Sequence, residues 1–281
     1  LVRNYATRGR VLRARESREA ASRVMPGTVA VLTPALERPP GHAAPGWFDQ
    51  LSTAVYYHLQ TSGLPALAVN PHTLDRRQID WLLRGRPRGF IILGMAEFTQ
   101  KPELRKLINS VLDTDSPVVA MSRAEATGHL DTVDADHTLG GERITRWLID
   151  RGCRRIRRVW AHVERVPSPR PPWLADRDAG YERAMREAGL EPLAPLEFAT
   201  PRFHRPKPES FEHESRVLAT HLLEELSGAS QADALMTLSD GDYFRVAAAV
   251  RRLGLEPQKD ILIAGYDNYW ADCDERQFEP T

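Results

Sequence analysis

The chain has 281 residues, of which 42% are hydrophobic, enough to bury the core of one large domain or of two smaller ones. Its 38 Lys and Arg side chains balance its 38 Asp and Glu, so the overall charge neither favours nor excludes a nucleic-acid partner. The two cysteines, Cys153 and Cys273, lack metal-ligand spacing, and no apolar run reaches membrane-spanning length, so a reducing cytoplasm fits better than a disulfide-built or membrane location.

Residues 1–27 form a basic arm. Its first 23 residues carry seven arginines against two glutamates. The stretch "RVLRARESREAASR" is compatible with a short charged helix and with an extended linker.

From residue 28 onward, short apolar strands alternate with amphipathic helices. Runs with this strand pattern are "GTVAVLTP" (27–34), "PALAVNP" (65–71), "RGFIILGM" (88–95), "SPVVAMS" (116–122) and a shorter "HLDTVDA" (129–135). Strands that are apolar along their whole length are covered on both faces, and alternation with helices makes them parallel.

The helix "TLGGERITRWLIDRG" (138–152) ends this series, and "RRIRRVWAH" (154–162) begins a second one. Its later strands are "PLEFAT", "ADALMTLS" and "DILIAGYDN", again separated by helical patterns. We therefore predict an α/β protein with two doubly wound parallel-sheet lobes, residues 28–153 and 154–281. Ligands of such sheets bind beyond the carboxyl ends of the strands, and the space between two lobes is a common pocket.

The paired glycines in the stretch "VDADHTLGGERITRWLIDRGCRRI" (133–156) raise the question of a phosphate-binding site. Gly140 and Gly141 are adjacent and lie in a helical pattern, which does not fit the G-x-G-x-x-G of a dinucleotide site or a P-loop. Two small residues there predict that the helix packs closely against a sheet.

The same stretch resembles the effector-binding domain of lactose- and galactose-repressor (LacI/GalR) type transcription regulators. In that family a strand ends in Asp-Asn, followed by a small pair, a helix, Gly-His and a basic run. Here Asp136 occupies the first position, His137 replaces the usual Asn, and Cys153 replaces the usual His.

Three further matches follow in family order. "RDAGYERAMREAGL" contributes Arg177, "ADALMTLSDGDYFRVAAAVRRLGLEP" has Ser239 where the family has Asn, and "KDILIAGYDN" ends in the G-[FY]-D pattern with Asp267. The resemblance covers residues 28–281. It implies a periplasmic-binding-protein-type fold, a ligand cleft between the lobes, a crossover at 152–154, and a chain that stops near the second crossover.

The resemblance also implies that Asp136, Arg177 and Asp267 line the cleft. A carboxylate accepts hydrogen bonds from sugar hydroxyls, and a guanidinium donates in a rigid fork. Without the resemblance, the favoured interpretation of these residues is end-of-strand acids or a helix-start ion pair. Additional predicted lining residues are the aromatic pair at the start of the first helix and side chains that follow strand ends: Trp47, Phe48, Leu36, Met95, Arg123, Trp160, Phe203 and Ser239.

The implied function is a cytoplasmic homodimeric regulator, a repressor, that binds a small effector such as a sugar and needs no cofactor or metal. Operator DNA would be bound through a domain largely absent from residues 1–281. "LVRNYATRGRVLRA" partly resembles the wing of GntR-type winged helices, and a hinge helix or a solvated arm are the alternatives. A sugar-binding protein of a transport system is the competing function. A glycoside-processing enzyme is a further alternative, but the chain has neither G-x-S-x-G nor H-E-x-x-H.

Overall fold

The structure is a computed structural model that describes residues 27–33, 47–95, 102–122, 130–163, 170–200, 208–228 and 231–268. The chain divides into two compact units between Ala135 and Asp136. Each unit is built on its own parallel sheet.

The sheet of the first unit has five short strands. They are β1 (Val29–Leu32), β2 (Ala66–Val69), β3 (Gly89–Ile92), β4 (Val118–Met121) and β5 (Asp131–Val133). All pair in parallel in the order β2-β1-β3-β4-β5. β1 lies inside the sheet and is buried at every position, as its unbroken apolar sequence predicts.

Helices cover both faces of this sheet. The described helices are α1 (Trp47–Thr61), α2 (Arg76–Arg84) and α3 (Pro102–Leu112). Successive β1 side chains point to opposite faces, so Ala30 and Leu32 pack with α2 and α3 while Val29 and Val31 pack with α1. This arrangement is the doubly wound layering that the sequence predicts.

The second unit repeats this arrangement with four strands. They are β6 (Ile156–Val163), β7 (Leu196–Thr200), β8 (Ala234–Thr237) and β9 (Leu262–Ala264), all parallel in the order β7-β6-β8-β9. Its helices are α4 (His137–Asp150), α5 (Pro172–Glu187), α6 (Pro208–Leu222) and α7 (Asp240–Arg252). One apolar core joins the sheet to α4 and α5, and another joins it to α6 and α7.

Helices α4 and α5 cross at very short range, and glycines make this possible. A Cβ at Gly141 would overlap the carbonyl oxygen of Arg177, and a Cβ at Gly180 would overlap that of Thr138. Within the small pair of α4, Gly141 therefore allows close contact with another helix, whereas Gly140 faces the ring of Tyr266, which follows β9. The same contact groups α4 with the second unit, whereas the sequence pattern placed it at the end of the first lobe.

The predicted fold class is confirmed, since every predicted strand is present and both sheets are parallel. Over the described ranges, no helix combines the length and apolarity needed to cross a membrane. Two predicted features lie outside the described residues: most of the basic arm at 1–27, and the end of the chain after 268.

Candidate functional site

Two loops at the carboxyl edge of the second sheet form the base of the site. β8 and β9 are parallel neighbours, so the segments that follow them leave the sheet at the same edge. Ser239 and Asp240 follow β8, and Tyr266 and Asp267 follow β9. The backbone N–H of Asp240 donates to the carbonyl oxygen of Tyr266 at 3.0 Å, which ties the two loops together.

The start of α4 brings Asp136 and His137 to the same edge. Asp136 is the N-cap of α4, and its Oδ1 accepts from the backbone N–H of Leu139 at 2.8 Å. This bond satisfies one of the donors that a helix start leaves unpaired, and the helix dipole favours the negative charge there. The carboxylate thus has a capping role besides its predicted ligand role.

Arg177, on α5, lies at the centre of the site and is 5% exposed. Its Nη1 donates to the carbonyl oxygen of Leu238 at 2.7 Å. Its Nη2 faces Asp267 Oδ1 and its Nε faces His137 Nδ1, each at 3.4 Å. Burial lowers the pKa of Arg177, an effect opposed by Asp267 and Tyr266. Because two of these three contacts are long, the N–H groups of Arg177 can give up those partners and donate to a ligand instead.

Two aromatic rings lie close to the Arg177 guanidinium. Its Cζ lies 3.4 Å from the ring centroid of Tyr266 and 4.9 Å from that of Trp173. The His137 ring completes the group, 6.1 Å from Tyr266 and 6.3 Å from Trp173 between centroids. Burial raises the pKa of Tyr266, Arg177 opposes this rise, and the carboxylates of Asp267 and Asp136 add to it.

Asp267 is a carboxyl group with unusual electrostatics. Its side chain is 22% exposed, and burial raises its pKa from 3.8 to about 6. Arg177 opposes this rise, and the charges of Asp240 and Asp242 add to it. The backbone of Asp267 has φ +84°, in the left-handed region that non-glycine residues rarely adopt. Strained backbone of this kind concentrates at functional sites.

Ser239 is held by a polar network at the start of α7. Its Oγ donates to Asp242 Oδ2 at 2.8 Å and accepts from the Asp242 backbone N–H at 3.4 Å. Asp242 in turn contacts Arg245, whose Nε lies 2.6 Å from Glu214 Oε2 on α6. The hydroxyl that replaces the family asparagine therefore caps α7.

The structure thus brings together four of the predicted residues in the second unit: Asp136, Arg177, Ser239 and Asp267. Trp160 belongs to the same unit but is fully buried, and its Nε1 donates to Asp178 Oδ1 at 3.1 Å. Its side chain presents no surface to a ligand.

The remaining predicted residues lie elsewhere. In the first unit, Met95 is fully buried in the core, and Phe48 packs against the apolar cluster beneath α1. Trp47 is the first residue of α1. Three predicted lining residues lie outside the described part of the chain: Leu36, Arg123 and Phe203.

Sequence reasoning missed three contributors: the ring of Tyr266, the ring of Trp173, and the imidazole of His137 as a partner of Arg177. Tyr266 stood in the G-[FY]-D pattern and His137 beside Asp136, so both were visible as neighbours of predicted residues. Trp173 follows two prolines, and no motif in the sequence marked it as a site residue.

Chemically, the site offers carboxylates as acceptors and a guanidinium edge as a donor, side by side. This combination suits a ligand that carries several hydroxyl groups. Among the described side chains, no group of three or more His, Cys, Asp or Glu is arranged to hold a metal ion.

Comparison with family models gives two matches. Residues 46–208 match the model for periplasmic binding proteins and the sugar binding domain of the LacI family, and residues 145–274 match that for a periplasmic binding protein-like domain.

Two curated relatives are transcriptional repressors, not enzymes. The HTH-type transcriptional repressor PurR of Pasteurella multocida is 26% identical over 229 residues, which cover 80% of this chain and 62% of that protein. The ribose operon repressor of Escherichia coli K12 is 26% identical over 192 residues, 68% of this chain and 52% of the repressor. The chain therefore spans between half and two thirds of the length of these relatives.

Solved structures agree in fold. A regulatory protein of the LacI family from Chloroflexus aggregans has a TM-score of 0.63 at 23% identity, covering 91% of this chain and 82% of its own. The regulator CelR in its cellobiose complex has a TM-score of 0.65 at 19% identity, covering 87% of this chain and 68% of its own.

Proposed function

Because the chain belongs to the LacI family of periplasmic-binding-protein-like domains, we propose that it is the sensor part of a transcriptional repressor that acts in the cytoplasm. In this proposal, a small polar effector binds at the carboxyl edge of the second sheet and changes the affinity of the whole protein for operator DNA. The repressors among its relatives support this role.

The observation that carries the proposal is the position of Arg177. A guanidinium that is 95% buried, held by one carbonyl at 2.7 Å and by two partners at 3.4 Å, is poised to donate to a ligand. Asp267, which faces the guanidinium, and Asp136, at the start of α4, supply acceptors. A sugar, which carries donors and acceptors on adjacent carbons, matches this set best. A ligand without the matching hydroxyl would leave buried polar groups unpaired, which provides specificity.

The proposed mechanism is a shift between two arrangements of the protein. An effector changes DNA affinity only if it binds one arrangement more tightly than the other, and DNA then changes effector affinity by the same factor.

A thermal-shift screen over pentoses, hexoses, disaccharides and nucleobases tests the effector, since a ligand that binds the native state raises the melting temperature. Arg177→Ala should abolish the shift. Arg186→Ala is the matched control, because Arg186 lies on the same helix and is 64% exposed. Equal shifts in Arg177→Ala and wild type would remove Arg177 from the site.

We further propose a homodimer formed through α1, α2 and the edge strand β2, since a two-fold protein suits a two-fold operator. Tyr57 on α1 and Trp81 on α2 are large side chains that are 62% and 38% exposed. A cavity of about 500 Å³ lies between β2 and α2, and among the described residues the buried Nδ2 of Asn70 on its wall has no hydrogen-bond partner. A partner surface seated on this face would cover the cavity.

Sedimentation of Trp81→Glu tests this face. A charge placed there should convert the dimer to monomer at micromolar concentration. Trp147→Glu, a half-exposed tryptophan on α4, is the control and should leave the dimer intact. A Trp81→Glu protein that remains dimeric would exclude this face as the interface.

A further inference from the structure

The guanidinium plane of Arg177 is fixed by stacking as well as by hydrogen bonds. The ring centroid of Tyr266 lies 3.4 Å from Cζ, which is direct contact, and that of Trp173 lies 4.9 Å away. A cation held over an aromatic face in a desolvated place is attracted by the ring quadrupole. Tyr266 is the closer of the two rings and contributes the stronger contact.

Gly140 makes this position of Tyr266 possible. A Cβ built on Gly140 would overlap the hydroxyl oxygen of Tyr266 and lie 2.7 Å from its Cζ. Any larger residue at position 140 would therefore push the ring away from α4. Because the ring is in contact with Arg177, its displacement would also move or release the guanidinium.

We propose that Tyr266, seated in the notch left by Gly140, is a positioning residue that fixes the plane of Arg177 so that its N–H edge is presented to an effector. The inference rests on the proposed role of Arg177 in effector binding. Its consequence is that recognition by Arg177 is in-plane and directional, as hydroxyl groups require, and that the guanidinium face against Tyr266 is closed to a flat ligand ring.

Hydrogen exchange of the Arg177 Nε–H, followed by NMR in protein labelled with 15N-arginine, tests the proposal without any effector or DNA. The resonance is identified by its loss in Arg177→Lys. Tyr266→Phe keeps the aromatic face and should leave the exchange rate close to that of wild type. Tyr266→Leu removes the face and should speed exchange about tenfold, as expected from loss of a desolvated cation–π contact.

Three comparisons separate positioning from general packing. Trp173→Leu removes the more distant ring and should speed exchange less than Tyr266→Leu. Gly140→Ala should resemble Tyr266→Leu, and adding Gly140→Ala to Tyr266→Leu should cause little further change, because the ring it displaces is already gone. Melting temperatures of Tyr266→Phe and Tyr266→Leu report the packing contribution separately.

Unchanged Nε–H exchange in Tyr266→Leu, whether or not its melting temperature falls, would overturn the proposal. Equal acceleration in Tyr266→Phe and Tyr266→Leu would overturn it too, because the hydroxyl and not the ring face would then be responsible. If Gly140→Ala does not fold, the Tyr266 series still decides. A failed effector screen would leave these exchange rates unaffected, so the two proposals fail independently.

Discussion

Replacing Asp267 with asparagine should stabilise the protein at neutral pH. The pKa of Asp267 rises from 3.8 to about 6, chiefly through burial, with the nearby charges of Asp240 and Asp242 adding to the effect. The attraction of Arg177 is already included in this value, so the ionised carboxylate is a net cost to the folded state. Asparagine resembles the protonated carboxyl, carries no charge, and tolerates the positive φ of +84° better than most residues.

The magnitude follows from the pKa. A difference of about two pKa units corresponds to about 3 kcal/mol at 1.36 kcal/mol per unit. Solvent reaches the partly exposed residue, so the expected gain is roughly 1–2 kcal/mol. For a unit of this size, that gain raises the melting temperature by roughly 3–6 °C.

The gain should depend on pH with a definite sign. A carboxyl whose folded pKa is raised gives stability that is fully present below pH 3.8 and is lost as the pH rises through about 6. The advantage of Asp267→Asn is therefore absent near pH 4, grows between pH 4 and 6, and is constant above pH 7.

Thermal unfolding of wild type and Asp267→Asn between pH 4 and 8 measures this difference. Glu191→Gln, which neutralises an exposed carboxylate of the same unit, is the control and should show no such trend. A lower melting temperature for Asp267→Asn at pH 8, or the same gain at pH 4 and pH 8, would refute the electrostatic account. If Asp267 belongs to the proposed effector site, a stabilising change there is expected to reduce effector binding.

Two further substitutions test the packing that supports the site. Gly180→Ala should lower the melting temperature despite the better helix propensity of alanine, because its Cβ would overlap the carbonyl oxygen of Thr138; unfolding curves that match wild type would contradict the close crossing of α4 and α5. Asp178→Ala should cost about 3–5 kcal/mol in urea unfolding, since it leaves the 2%-exposed Arg158 charged and without its carboxylate partner. A loss below about 1 kcal/mol, the typical worth of an exposed ion pair, would show that this network is solvated.

The strands were predictable because their signal is local. A run such as Val29–Leu32 is apolar at every position, and only a strand covered on both faces requires that pattern. Asp136, Arg177 and Asp267 were proposed from motifs that are local in sequence, and in the structure Asp136 caps α4, Arg177 lies within α5 and Asp267 follows β9. In these cases the informative residues are neighbours in sequence.

The face that a residue presents was less predictable. Trp160 was predicted to line the cleft from the end of the first strand of the second lobe. In the structure it lies within β6 and points into the core shared with α4 and α5. Each step along a strand reverses the side-chain direction, so a shift of one residue in the assumed strand end exchanges core and ligand positions. Met95, three residues beyond the end of β3, is also buried in the core rather than exposed to a ligand.

The contact between Gly140 and Tyr266 was not predictable from either residue. The glycine pair predicted close packing, but its partner lies in a distant motif and is fixed only when β9 lies beside β8. Likewise, the capping roles of Asp136 and Ser239 follow from where α4 and α7 begin, which sequence patterns locate only to within a few residues.

Coupling between effector and DNA tests the central proposal most directly. A fluorescence-anisotropy titration of the full-length protein, against the upstream region of its own gene and against random DNA, should show preferential binding to the upstream region. A sugar identified by the thermal screen should change that affinity in wild type and leave it unchanged in Arg177→Ala. Equal affinity for upstream and random DNA, with and without every sugar that binds, would contradict the repressor proposal.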